Sequence, residues 1–199
     1  MTKITARPDV EKVMDAIIQV YRNAIEKSMT LYRQVSEMRS TKNSTAAGIV
    51  VSNIIAQSEI DEKIQEYIRE SQARILFLQR DYEESETVWQ TAKSAEITDD
   101  EKLLSGKFSL SERELLDLAE THKANYTMLY LINAFMMEHE YSHLIKPIQG
   151  VEARADLLDG FIKMTMPRFT EQCTSDSNYK MDFDVAVSSF RERTLNQVN

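Results

Sequence analysis

Cysteine, histidine, proline and glycine are all scarce in this 199-residue chain, which holds one Cys, three His, three Pro and four Gly. A lone cysteine, Cys173, excludes an internal disulfide and any Cys-rich metal site, and it reads as a small buried side chain. So little Gly and Pro argues against a sheet-rich fold with many tight turns. No uncharged apolar run is long enough to span a bilayer, and the opening residues Met1–Asp9 lack the apolar core of a signal peptide. A basic excess is missing as well: 24 Lys and Arg face 32 Asp and Glu, a net charge of −8. Nucleic-acid binding needs clustered cations, so no nucleic-acid partner and no membrane association are expected, and a cytoplasmic location is.

What the chain does have is helical periodicity. Pro8-Asp9 opens a long pattern in which Val10, Val13, Met14, Ile17, Ile18, Tyr21, Ile25, Met29 and Tyr32 recur at helical spacing, to about Met38. This stripe of Met and aromatics reads as core. A second long helix is marked by Ile60, Ile64, Ile68, Ile75, Leu78 and Tyr82, with Trp89 packing near its end and Asp81, Glu83, Glu84 and Glu86 on a solvated face. Residues 48–55 and 75–79 are rich in β-branched or apolar side chains, so either could be a short strand. Residues 97–108 read as a loop or lid. Ser111-Glu-Arg-Glu114 fits a capping box, and from there the pattern is helical to Leu144 or Ile145. A turn at Pro147 and Gly150 precedes a further helix that Pro167 ends, residues 170–178 form a polar loop, and Phe183, Val187 and Phe190 mark a last short helix. The expected architecture is a single, mainly α domain with at most a small short-stranded sheet. It comprises an N-terminal helical part (1–100), a helix pair (109–167) and a C-terminal extension (168–199).

The chemistry-bearing stretch is Phe135-Met-Met-Glu-His139-Glu140-Tyr-Ser-His143-Leu144, which contains His-Glu-x-x-His. On a helix, residues four apart stack on one face, so His139 and His143 could share a zinc ion. Glu140 would stand where a general base can deprotonate a metal-bound water. Zinc then needs a third protein ligand and an open position. A short connection folds the next helix back against this one, and Glu152, eight residues beyond His143, is the candidate third ligand. Asp156, one turn on, is the candidate for orienting a ligand imidazole, and the two roles could be exchanged. His122, some five turns before His139 on the expected helix, is too distant to join and reads as structural or surface. A di-iron site would need a second Glu-x-x-His pair, which the sequence does not supply.

The pair His139-Glu-Tyr-Ser-His143-Leu and Glu152-Ala-Arg-Ala-Asp156 resembles the active-site helices of glutamate-ligand zincin metallopeptidases. It is most similar to the phage-exclusion Lit-type and repressor-cleaving ImmA/IrrE-type enzymes. The resemblance covers roughly residues 125–167. It implies a zinc endopeptidase acting on a protein or peptide, with His139, His143 and Glu152 holding Zn2+ and Glu140 as base. It also implies a small sheet whose edge strand binds substrate, which only residues 48–55 or 75–79 could supply. The alternative reading is a helical interaction protein of phage or plasmid type, in which the same residues are structural or the site is degenerate.

Overall fold

The computed structural model describes residues 7–41, 46–91, 93, 96–105, 109–145, 148–175 and 180–196, with backbone alone at 38–41, 46–56 and 180–182. The α-helices are α1 (Val10–Thr41), α2 (Ala46–Trp89), α3 (Glu112–Thr121), α4 (Tyr126–Glu138), α5 (Val151–Thr174) and α6 (Lys180–Leu195). Short 3-10 turns occupy Asp99–Leu104 and Ser142–Leu144. The expected mainly α class holds, and no strand occurs among the described residues. Residues 48–55 and 75–79, the two possible strands, both lie inside α2. The reason is visible at 75–82. A strand would put Ile75 and Phe77 on one face, but here Ile75 and Tyr82 are buried while Leu76 and Phe77 stand more than half exposed. That is helical spacing, continuous with the buried Ile60, Ile64 and Ile68.

The chain divides into two compact units, Val10–Asp81 with Ala155–Asn199, and Met1–Asp9 with Tyr82–Arg154. In the first, α1 presents the expected stripe of Met14, Ile17, Ile18, Tyr21 and Ile25, all buried. Tyr21 is its centre. Its ring packs 4.6 Å from Phe169 of α5 and edge-on at 6.0 Å from Phe183 of α6. Its hydroxyl meets Thr165 Oγ1 at 3.1 Å, and burial pushes its pKa up to about 12. Arg22 to Asp184 and Arg191 to Asp15 tie α6 to α1 along the solvent edge. Pro167 does not end its helix, as the sequence suggested, but sits inside α5. Phe169 and Cys173 extend the buried stripe of Leu158, Phe161, Ile162 and Thr165 past it. Burying two such side chains offsets the ~3 kcal/mol that an internal proline costs.

In the second unit, a core of Leu115, Ile132, Phe135 and Met136 is flanked by Leu104, Leu110, Leu118, Ala119, Tyr141, Leu144 and Ile145. The continuous helix expected from Ser111 to Leu144 is instead two helices. The chain breaks at residues 122–125, where the Asn125 side chain caps α4 by accepting from Met128 N at 3.1 Å and donates to Glu96 O at 2.7 Å. His122 is buried, its Nε2 2.9 Å from Asp100 Oδ2, which makes it a structural residue. Trp89 at the end of α2 donates to Ala124 O across the same break. Thr127 Oγ1, which reaches Glu96 Oε2 and accepts from Lys93 N, completes the joint.

The capping box forms as read. Glu114 N donates to Ser111 Oγ, and Ser111 N donates to Glu114 Oε2 at 2.8 Å. The Ser111 hydroxyl, which donates to Glu114 Oε2 at 2.6 Å, contributes most to holding the Glu114 carboxyl below its ordinary range, and the Ser111 N–H next. A carboxyl with a depressed folded-state pKa stabilises at pH above its unfolded value, and that stability is lost as pH falls through the folded value. Ser111→Ala is expected to lower the urea midpoint at neutral pH. The gap to wild type should narrow in acid, below the ordinary carboxylate range. Urea titrations at pH 7 and pH 3 check this, and a gap that stays constant would contradict it.

Candidate functional site

His-Glu-x-x-His does not lie on a helix. Helix α4 ends at Glu138, and His139 is its C-cap residue. The next residue, Glu140, has φ 66°, the only non-glycine with positive φ among the described residues. That left-handed step turns the chain out of the helix, and Tyr141 N then donates back to Met136 O at 2.9 Å. This is the six-to-one bond of a Schellman ending, and the expected apolar contact comes with it: Tyr141 packs against the core cluster that holds Met136. The Tyr141 hydroxyl donates to Leu110 O, Ser142–Leu144 make one 3-10 turn, and Leu144 and Ile145 fold onto the same core. Two residues four apart stack only where the helix continues between them. Here the intervening backbone reverses, so the spacing no longer aligns the rings.

Each imidazole has its own local partner instead. His139 Nδ1 donates to Phe135 O at 2.9 Å, and its ring stacks on Phe135 with centroids 4.0 Å apart and planes 19° apart. His143 Nε2 lies 3.2 Å from Glu112 Oε1 of α3, and both side chains are more than half exposed. Glu140 is exposed on its turn. Glu152 is exposed in the first turn of α5, and no hydrogen bond or ion pair joins it to either imidazole. Asp156 is also exposed and belongs to the other unit. Among the described residues no group of three or more His, Cys, Asp or Glu side chains is placed to hold a metal ion. The proposed zinc ligands His139, His143 and Glu152 are therefore not brought together in this arrangement. Catalytic zinc needs three convergent donors in a site that excludes bulk water, and these five side chains face solvent.

The polar cluster that does form in this unit was missed. Glu86, read as part of a solvated acidic face, is fully buried. Its Oε1 lies 3.3 Å from Arg154 Nε and 3.3 Å from Arg7 Nη2 and accepts from Gln90 Nε2 at 3.0 Å. Arg154 Nε also donates to the Tyr82 hydroxyl at 2.8 Å, and the Arg7 guanidinium lies over the Trp89 ring, 4.6 Å from its centroid. Burial lowers the pKa of Arg7, with repulsion from Arg154 adding to it, and burial raises that of Tyr82. The signal lay in the spacing: Tyr82, Glu86 and Trp89 stand at i, i+4 and i+7, on the apolar stripe of α2 rather than opposite it.

No protein-family profile, curated protein or solved structure matches the chain. Among the described residues no helix is long and apolar enough to cross a membrane.

If Glu140 serves the backbone turn, its side chain is a burden there, because a left-handed conformation costs a non-glycine residue ~1 kcal/mol or more. Glu140→Gly should raise the urea midpoint, corresponding to about 0.5–1 kcal/mol. Glu140→Val should lower it. A destabilised glycine variant would show that the carboxylate itself is needed.

Proposed function

We propose that the chain is a helical interaction protein that works by binding another protein, and that His-Glu-x-x-His serves as the end of a helix. One observation carries this reading. Helix α4 has the composition of a helix covered on all sides, yet one of its faces is bare. Met128, Ile132, Phe135 and Met136 are buried. On the opposite side run Tyr126, half-buried with its ring edge-on to Trp89 at 5.3 Å, and then Tyr130 and Met137, at i, i+4 and i+11, with Tyr130 56% and Met137 69% exposed. The two tyrosine rings lie 6.4 Å apart, so they form one strip rather than scattered contacts. Tyr and Met are the side chains that interfaces favour, aromatic rings because they bring large area with few rotatable bonds, Met because it adapts. The strip ends at the exposed carboxylates of Glu138 and Glu140.

The occupant that suits such a surface is an apolar helix of a protein partner with basic flanks. Anchors at helical spacing recognise a helix laid along them, and the acidic end of the strip, with the chain's net charge of −8, favours cations beside it. The zinc-peptidase reading needs His139, His143 and Glu152 to converge, and the geometry of α4's end supports it less well.

A photo-crosslinker placed at Tyr130 in cells should capture a protein. That protein, once purified, should bind the wild-type chain at least about tenfold more tightly than Met137→Lys, the loss expected for an anchor residue, while circular dichroism shows the variant folded. Equal affinities, or no captured protein, would overturn the reading. So would a wild-type dimer that Met137→Lys dissociates, since the occupant would then be a second copy.

A further inference from the structure

We infer that Glu86 and Trp89 of α2 form a guanidinium-binding site, occupied by the chain's own Arg7, that accepts an arginine side chain from a partner protein in its place. The site is built for a guanidinium: a fully buried carboxylate beside an aromatic face, the pairing on which a planar cation is held by charge, hydrogen bonds and stacking together. Arg7 uses it poorly. A guanidinium that matches a carboxylate bonds both oxygens at about 2.7–2.9 Å. Both Arg7 contacts instead go to Oε1, from Nε at 3.4 Å and Nη2 at 3.3 Å. The other oxygen, Oε2, is buried without any hydrogen-bond partner, which is unusual for a carboxylate so deeply placed.

Charge accounting identifies Arg7 as the member that can leave. Two guanidiniums share one carboxylate. Arg154 is buried and bonded to both Glu86 and Tyr82, whereas the Arg7 side chain is 30% exposed and bonded to Glu86 alone. Withdrawing Arg7 leaves Arg154 and Glu86 as a neutral pair, so no buried charge is stranded. It uncovers the Trp89 face and one side of the carboxylate. Arg7 itself does not engage Oε2, so a partner's arginine that bonds both oxygens would satisfy the carboxylate more fully. Lysine lacks the planar fork and would not substitute. Trp89 also meets Tyr126 of the α4 strip edge-on, centroids 5.3 Å apart, but the guanidinium site is read by a small arginine compound and the strip by a captured protein, so the failure of one is distinguishable from the failure of the other.

Trp89 is the chain's single tryptophan, so its fluorescence reports the site directly. Full-length wild type and Arg7→Ala are titrated with N-acetyl-L-arginine amide, with N-acetyl-L-lysine amide as control. The variant is expected to show a saturable change with the arginine compound at millimolar concentration, at least about tenfold stronger than wild type. No saturable change is expected with the lysine compound, and Glu86→Gln added to the variant should abolish the response. Three results would overturn the proposal: an Arg7→Ala chain that loses its helical circular dichroism, which makes Arg7 a brace; no saturable response; or equal responses to the two compounds. Should Glu86→Gln fail to fold, the comparison of arginine with lysine on Arg7→Ala decides alone.

Discussion

The unit built around α3 and α4 depends on the left-handed backbone of Glu140. A helix that continued through it would carry His139 and His143 outward on one face and leave Tyr141, Leu144 and Ile145 on α4. Because the chain reverses there, those three side chains fall back onto Leu115, Ile132, Phe135 and Met136 and close the core of their unit. The strain of one non-glycine residue at positive φ, ~1–2 kcal/mol, is offset by the burial of three apolar side chains, each worth about 1–2 kcal/mol when partly covered. The two histidines are left at the edge of that closure, one stacked on Phe135 and one beside Glu112.

The same unit concentrates its polar groups at the joints between elements rather than in a cleft. Asn125, Thr127 and Glu96 fasten the start of α4 to the segment after α2. His122 and Asp100 fasten the end of α3 to the 3-10 turn. Glu86 gathers Arg154, Arg7 and Gln90. Buried ion pairs contribute little net stability, because desolvation cancels most of the attraction. Their effect is to fix which surfaces meet, while Tyr130 and Met137 of α4 stay exposed.

Where periodicity was strong, the sequence was legible. The stripe from Val10 to Ile25 and the series Ile60, Ile64, Ile68 and Ile75 became buried helix faces, and the Ser111–Glu114 box formed. The joints were not legible, for physical reasons. The break before α4 has no glycine or proline, and its signal is Asn125, a good N-cap residue placed directly before an apolar run. The break after α4 uses a glutamate where glycine is usual, so composition carries no trace of it. Pro167 misled because Phe169 and Cys173 carry the buried face past it. Glu86 misled because an acidic run draws the eye to charge before spacing. The stacking of His139 and His143 on one face rested on a helix running through both, and α4 ends at Glu138.

The most direct test is zinc retention. Wild type and His143→Ala are each equilibrated with a small excess of zinc, desalted and assayed for metal. The same low, substoichiometric content is expected in both, since exposed histidines with separate partners hold zinc only weakly. About one zinc per chain in wild type, lost in His143→Ala, would contradict it and bring the two imidazoles together on a metal.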